Sequence, residues 1–160
     1  MNKGTRNSNS EISRRLEKRF QDYASYHQTQ GNQRCHTIGI TLIVTSLLGL
    51  LSTLRFNTIS PAELSLLQAD VGIFLSLAAF LWYLFLDWKV AIPFFLVILG
   101  LYFMGRAIPS PVNWALFTTG WIFQGIGHAY YEKNSPAFFK NFEHLLIGPL
   151  WVFAKLTRYH

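Results

Sequence analysis

Four apolar runs free of Asp, Glu, Lys and Arg dominate this chain: Thr37–Leu54, Val71–Leu86, Val90–Gly105 and Ala107–Tyr131. The outer helices of a soluble bundle carry a polar stripe at helical period, and these runs carry almost none. A membrane span needs roughly 20 residues, with a lower limit near 17. The first and last runs qualify outright. The two central runs, 16 residues each, extend into the flanking Ala69 and Asp70, Asp87–Lys89 and Arg106, which can snorkel toward water. The expected fold is all-α, a multi-pass membrane protein with transmembrane helices at about 37–54, 70–88, 89–106 and 110–131. Residues 1–10 read as a disordered tail and 11–160 as a single membrane domain.

The charges say which way the chain threads. Only 14% of residues are charged, against about 25% in soluble proteins. Seven of the fourteen Lys and Arg precede the first run (Lys3, Arg6, Arg14, Arg15, Lys18, Arg19, Arg34). Lys89 lies between runs two and three, and Lys133, Lys140, Lys155 and Arg158 follow the last; Arg55 and Arg106 alone face the other side. By the positive-inside rule both termini are expected in the cytoplasm, in a bacterial inner membrane or the endoplasmic reticulum. The net charge of +6 therefore reflects helix flanks. No basic stripe interleaves with aromatics, which excludes nucleic acid as a partner. With Cys35 alone, no intrachain disulfide or paired-cysteine metal knuckle can form, and the thiol reads as inert. The polar first 36 residues hold no apolar secretory segment.

Between the runs, Asp87-Trp88-Lys89 reads as a short hairpin, and Trp82, Tyr83 and Trp88 as an interfacial belt. Pro93 is expected in the first turn of span three. Ser60-Pro61-Ala62-Glu63 resembles a helix start within the loop 55–70.

Four of the five histidines, His27, His36, His128 and His144, fall in the polar stretches assigned to one face. Ile12, Leu16, Phe20 and Tyr23 form one stripe of an amphipathic helix, and His27 continues it at 100° per residue. Arg14, Arg15 and Lys18 form the opposite face, suited to anionic headgroups. Gly31 and Asn32 are expected to break that helix, so that His36 opens span one. Near the end of span four, Gln124, His128 and Glu132 share a helical face, which would let Glu132 hold the second imidazole nitrogen of a metal-bound His128. His144 follows a break at Pro136 and precedes Leu145–Leu156, where Gly148-Pro149 points to a short interfacial or re-entrant helix. His160, the last residue, is discounted. Imidazoles gathered on one face point to a transition-metal site.

The pattern Tyr23-x3-His27-x4-Asn32-x3-His36-x2-Gly39, followed by Trp121-x2-Gln124-x2-Gly127-His128-x3-Glu132-x3-Pro136-Ala137 and closed by Gly148-Pro149, resembles the Mpo1-like family of membrane proteins. That resemblance implies an iron(II)-dependent dioxygenase of fatty acid α-oxidation, taking a 2-hydroxy fatty acid and dioxygen to an acid one carbon shorter, with membrane lipid around it. It implies Fe2+ as cofactor, His27, His36, His128 and His144 as metal ligands, and His27, His36, His128 and Glu132 as catalytic residues. Tyr23, Asn32, Gln124 and Glu132 would support the ligands from behind. Octahedral iron that gives two positions to a chelating 2-hydroxy acid and one to dioxygen keeps three for protein. Two other readings of the residues stay open. A zinc-dependent membrane lipid hydrolase also suits three histidines and a water; a non-enzymatic lipid-binding or scaffold protein would use its histidines structurally.

Overall fold

The computed structural model describes residues 3–56, 69–133 and 141–158, with side chains described from Arg14 onward. Ser60-Pro61-Ala62-Glu63, Pro136-Ala137 and His160 lie outside the described residues. Among those described, the chain is all-helical: α1 (Lys3–Ser25), α2 (Gln30–Leu51), α3 (Val71–Leu86), α4 (Trp88–Ala107), α5 (Ser110–Ile126) and α6 (Glu143–Leu156). A π-helical turn, Gly127–Glu132, continues α5. Residues 1–10, expected as a tail, precede or begin α1, where no side chain is described. Two helices, α2 and α4, are long and apolar enough to cross a membrane; α3 has 16 residues and α5 has 17.

Helix α2 is the axle of the bundle, packed against both α4 and α5. Glycines permit this close approach. A Cβ on Gly39 would lie 2.8 Å from the Gly120 carbonyl oxygen of α5. A Cβ on Gly105 of α4 would collide with the Thr45 carbonyl and press on the backbone of Gly49. Small residues at helix crossings let two backbones approach closely.

The connections differ from expectation in instructive ways. Asp87 alone joins α3 to α4: its backbone N–H caps the first helix and its Oδ1 accepts from Lys89 N (2.9 Å) to start the second. Helix α4 therefore begins at Trp88, and Pro93 falls in its second turn rather than its first, removing one backbone donor there. Tyr83 does not join an interfacial belt; it is buried and donates to the Leu146 carbonyl (2.8 Å), pinning α3 to α6, while Trp88 is exposed. Gly31 and Asn32 do not break a helix. The break falls at residues 26–29, and Thr29 caps α2 by accepting from Asn32 N. Gly31 is small because the Tyr131 ring lies against it.

At the far end of the bundle, Asp70 is fully buried. Its Oδ1 caps α3 through Ile73 N (2.9 Å), and its Oδ2 accepts from Tyr102 Oη (2.5 Å) beside Arg106 Nη1 (3.9 Å). Asp70 and Arg106 thus pair inside the protein instead of snorkelling outward. Asn113 seals the end of α4 by donating to the Gly105 and Ile108 carbonyls.

Helix α1 packs on α6 and α3. Leu16 and Tyr23 are buried and Phe20 packs on the core, while Arg14, Arg15 and Lys18 face outward. Two polar pairs fasten its outer edge to α6: Arg19 to Glu143 and Asp22 to His144.

Candidate metal centre

Three imidazoles from three separate segments meet at the other end of α2. His27 sits in the break after α1, His36 in the second turn of α2, and His128 in the π-helical turn. All three are buried, and their ligand atoms lie within 4.8 Å of one another. Ring centroids are 4.2 Å apart for His27–His36, 4.7 Å for His36–His128 and 5.0 Å for His27–His128. His27 keeps its inward direction although it lies past the helix end, because the chain turns back on itself at Tyr26 and His27.

Hydrogen bonding assigns the nitrogens. His27 Nδ1 lies 2.7 Å from the Tyr23 carbonyl oxygen, which can only accept, so Nδ1 carries the proton and donates. His27 Nε2 is then left with a lone pair, buried and without a partner. His36 Nε2 and His128 Nε2 face each other at 3.1 Å. Two nitrogens each about 2.1 Å from one ion lie about 3.0 Å apart at a right angle and about 3.4 Å at a tetrahedral angle. The pair already has that spacing, leaving His27 to close the remaining gap. Burial, opposed by the bond to Tyr23, lowers the His27 pKa to about 4, so its ring is neutral and able to ligate at neutral pH. The set fits a metal ion.

The wider helical turn at Gly127–Glu132 belongs to this geometry. π-Helical turns concentrate at functional sites. Gly127 presses against α2: a Cβ there would collide with Asn32 Oδ1 and lie 3.2 Å from Cys35 Cβ. Backbone contact at this point brings His128 to His36. Cys35, buried and free, serves as packing.

Glu132 is placed differently from expectation. It does not hold the second nitrogen of His128, whose Nδ1 is buried without a partner. The π-helical register alters the α-helical alignment four residues on, and the carboxylate reaches across to the α1–α2 break instead. Its Oε1 accepts from Gln28 N (2.8 Å), and its Oε2 from Thr29 N (3.2 Å), Thr29 Oγ1 (2.8 Å) and Asn32 Nδ2 (3.0 Å). Burial pushes the Glu132 carboxyl up, but these four donors outweigh it and hold the pKa below its ordinary value. Asn32 in turn donates to the Tyr26 carbonyl (3.2 Å). Glu132 thereby ties the segment bearing His27 to the helix bearing His36. Glu132→Gln keeps the shape but replaces one acceptor oxygen by a donor facing donors, and is expected to weaken metal retention by about 10–100-fold, read by chelator competition. Because the folded pKa is depressed, this clamp contributes fully above the ordinary carboxylate pKa and is lost as pH falls through the folded value.

His144 stands apart from the three. Its Nε2 lies 2.8 Å from Asp22 Oδ2, and its ring packs edge-on to Tyr23 and Tyr26. Gln124 is buried, with its amide over Gly39. Tyr23 stacks on His27 (4.1 Å between centroids) and places its hydroxyl 3.2 Å from His36 Nδ1. Burial pushes the Tyr23 hydroxyl well above its ordinary pKa, so it stays protonated. Asp22 and Thr29 were not singled out from sequence; no spacing signal reaches across the 122 residues from Asp22 to His144.

A cavity opens beside the triad. Tyr23, Gln124, His144 and the three histidines line it together with the apolar Ile40, Ile43, Val44 and Leu145.

No curated protein and no solved structure gives a significant match to this chain. A family model described as 2-hydroxy-palmitic acid dioxygenase Mpo1-like matches residues 13–160, a stretch containing the three segments that bring the histidines together and the cavity beside them. The chain belongs to the Mpo1-like family.

Proposed function

We propose that the protein is a metal-dependent dioxygenase that converts a 2-hydroxy fatty acid into an acid one carbon shorter, with iron(II) held by His27, His36 and His128. The observation that carries this reading is the triad itself: three buried imidazoles with a partnerless His27 Nε2, beside a cavity lined by both polar and apolar side chains. The family description supplies the substrate class. When bound, iron(II) would supply the redox chemistry that lets dioxygen react with an organic acid.

The chain's own residues do the rest. Neutral ligands leave the charge of a divalent ion uncompensated, which favours an anionic substrate head. Ile40, Ile43 and Val44 on α2 form the apolar wall along which an acyl chain can lie while its head stays at the histidines. Burial of the rings keeps bulk water from the reacting carbons. His144, whose Nε2 is taken by Asp22, lies outside the cluster of three and is left out of the ligand set in this reading.

Four helices, α2 to α5, cross the membrane in this reading, with both termini cytoplasmic. The support is a belt of exposed large apolar residues, including Phe74, Leu81 and Phe85 on α3, Leu96 and Met104 on α4, and Trp114 and Ile122 on α5. Such an expanse is excessive for a soluble monomer. The positive-inside count sets the direction.

Elemental analysis of the detergent-purified protein combined with oxygen uptake on 2-hydroxypalmitate tests the proposal. The expected result is one iron per chain, with oxygen consumed in step with release of the shortened acid. Zinc with hydrolytic turnover and no oxygen uptake would overturn it.

A further inference from the structure

Tyr23 occupies a position that the metal reading does not by itself explain. Its ring stacks on one triad histidine, its oxygen bonds a second, and it lines the cavity. Gly148 of α6 lies close to that oxygen: a Cβ there would come within 3.0 Å of Tyr23 Oη.

The question is which atom of the Tyr23–His36 pair donates. An imidazole that gives Nε2 to a metal keeps its proton on Nδ1. His36 Nε2 is the nitrogen facing His128, so ligation makes His36 Nδ1–H the donor and Tyr23 Oη the acceptor. The tyrosine's own hydrogen is thereby displaced from that bond. A buried hydroxyl that donates to nothing is costly, so it turns to the nearest acceptor that can enter the cavity. Without the metal, the bond runs the other way: Tyr23 O–H can donate to an unprotonated His36 Nδ1.

We propose that Tyr23 is a substrate-binding residue whose hydroxyl, released from His36 when the triad takes up its metal, donates a hydrogen bond to the carboxylate or 2-hydroxyl oxygen of the 2-hydroxy acid. This deepens the dioxygenase reading and rests on it. Metal loading and recognition of the substrate head are then coupled through a single proton position, so the loaded protein presents a donor that the metal-free protein keeps occupied.

The test uses full-length protein loaded with iron(II) under anaerobic conditions, so that binding is measured without turnover. Metal per chain and the Kd for 2-hydroxypalmitate are compared for wild type and Tyr23→Phe, which keeps the ring stacked on His27. The expected result is unchanged metal content with a Kd about 10–100-fold weaker, the range for a lost hydrogen bond to a charged group. An unchanged Kd would overturn the proposal. So would a drop in metal affinity that accounts for the whole loss, because Tyr23 would then only position His36. Wild-type protein that takes up no iron, or loaded wild type that ignores 2-hydroxypalmitate, would instead sink the underlying dioxygenase reading and this proposal with it.

Discussion

His36→Ala is expected to strip the protein of its metal and of its turnover together, while the helical content remains. The size follows from the ligand count. A structural zinc site of four ligands is worth about 10–16 kcal/mol, or about 2.5–4 kcal/mol for each ligand. At about 1.4 kcal/mol per tenfold, one lost histidine weakens binding by about 60–700-fold. His36 touches both partner histidines, and its Nδ1 lies 3.2 Å from the Tyr23 hydroxyl. Metal analysis and circular dichroism on the same sample give the answer, and full metal occupancy in the variant would contradict the site. His144→Ala provides the contrast. Its Nε2 is engaged by Asp22 outside the triad, so that variant should keep its metal.

Asp70→Ala is expected to cost the most in stability, about 3–5 kcal/mol, the range for breaking a buried ion pair by removing one partner. One carboxylate does three things here. It caps α3, accepts from Tyr102 and faces Arg106, whose side chain is only 19% exposed. Removing it leaves a guanidinium among buried groups without its carboxylate. Asp70→Asn retains an oxygen for the cap and should fall between the two. Thermal denaturation in detergent gives the order wild type, Asn, Ala. Because Asp70 sits at the end of the bundle away from the histidines, metal per folded chain should not change. A loss of metal from Asp70→Ala at temperatures where it remains folded would show that the two ends are coupled.

These two residues also mark how far the sequence could be read. The triad was legible because His27, His36 and His128 fall in polar stretches read as lying on one face, and a motif spanning both ends of the chain contains all three. The span expected at about 70–88 holds α3, which is shorter at Val71–Leu86; the Asp70 side chain caps its start, while the Asp87 side chain starts α4. Partnerships across long separations were not legible. Asp70 and Arg106 read as polar flanks of two spans, and only their burial together shows them as a pair. Glu132 was assigned to His128 by α-helical spacing. A π-helical turn changes that spacing locally, and nothing in Gly127–Glu132 announces it. Gly31 and Asn32 have the composition of a helix breaker, yet Gly31 is small to admit Tyr131, and Asn32 is polar to reach Tyr26 and Glu132. In each case the local pattern was right about residue type, while the contact that required it came from another helix.

The distance along the chain between His36 and His128 carries a consequence for biosynthesis. The two nitrogens that face each other at 3.1 Å belong to residues 92 positions apart. At translation rates of about 5–20 residues per second, roughly 5–18 s separate the appearance of the first from that of the second. During that interval the emerging polypeptide can hold no ion with this set, however much is available in the cell. If the triad takes up an ion as proposed, capture follows the emergence of His128, and protein made without the ion should be rescued by a later supply without new synthesis.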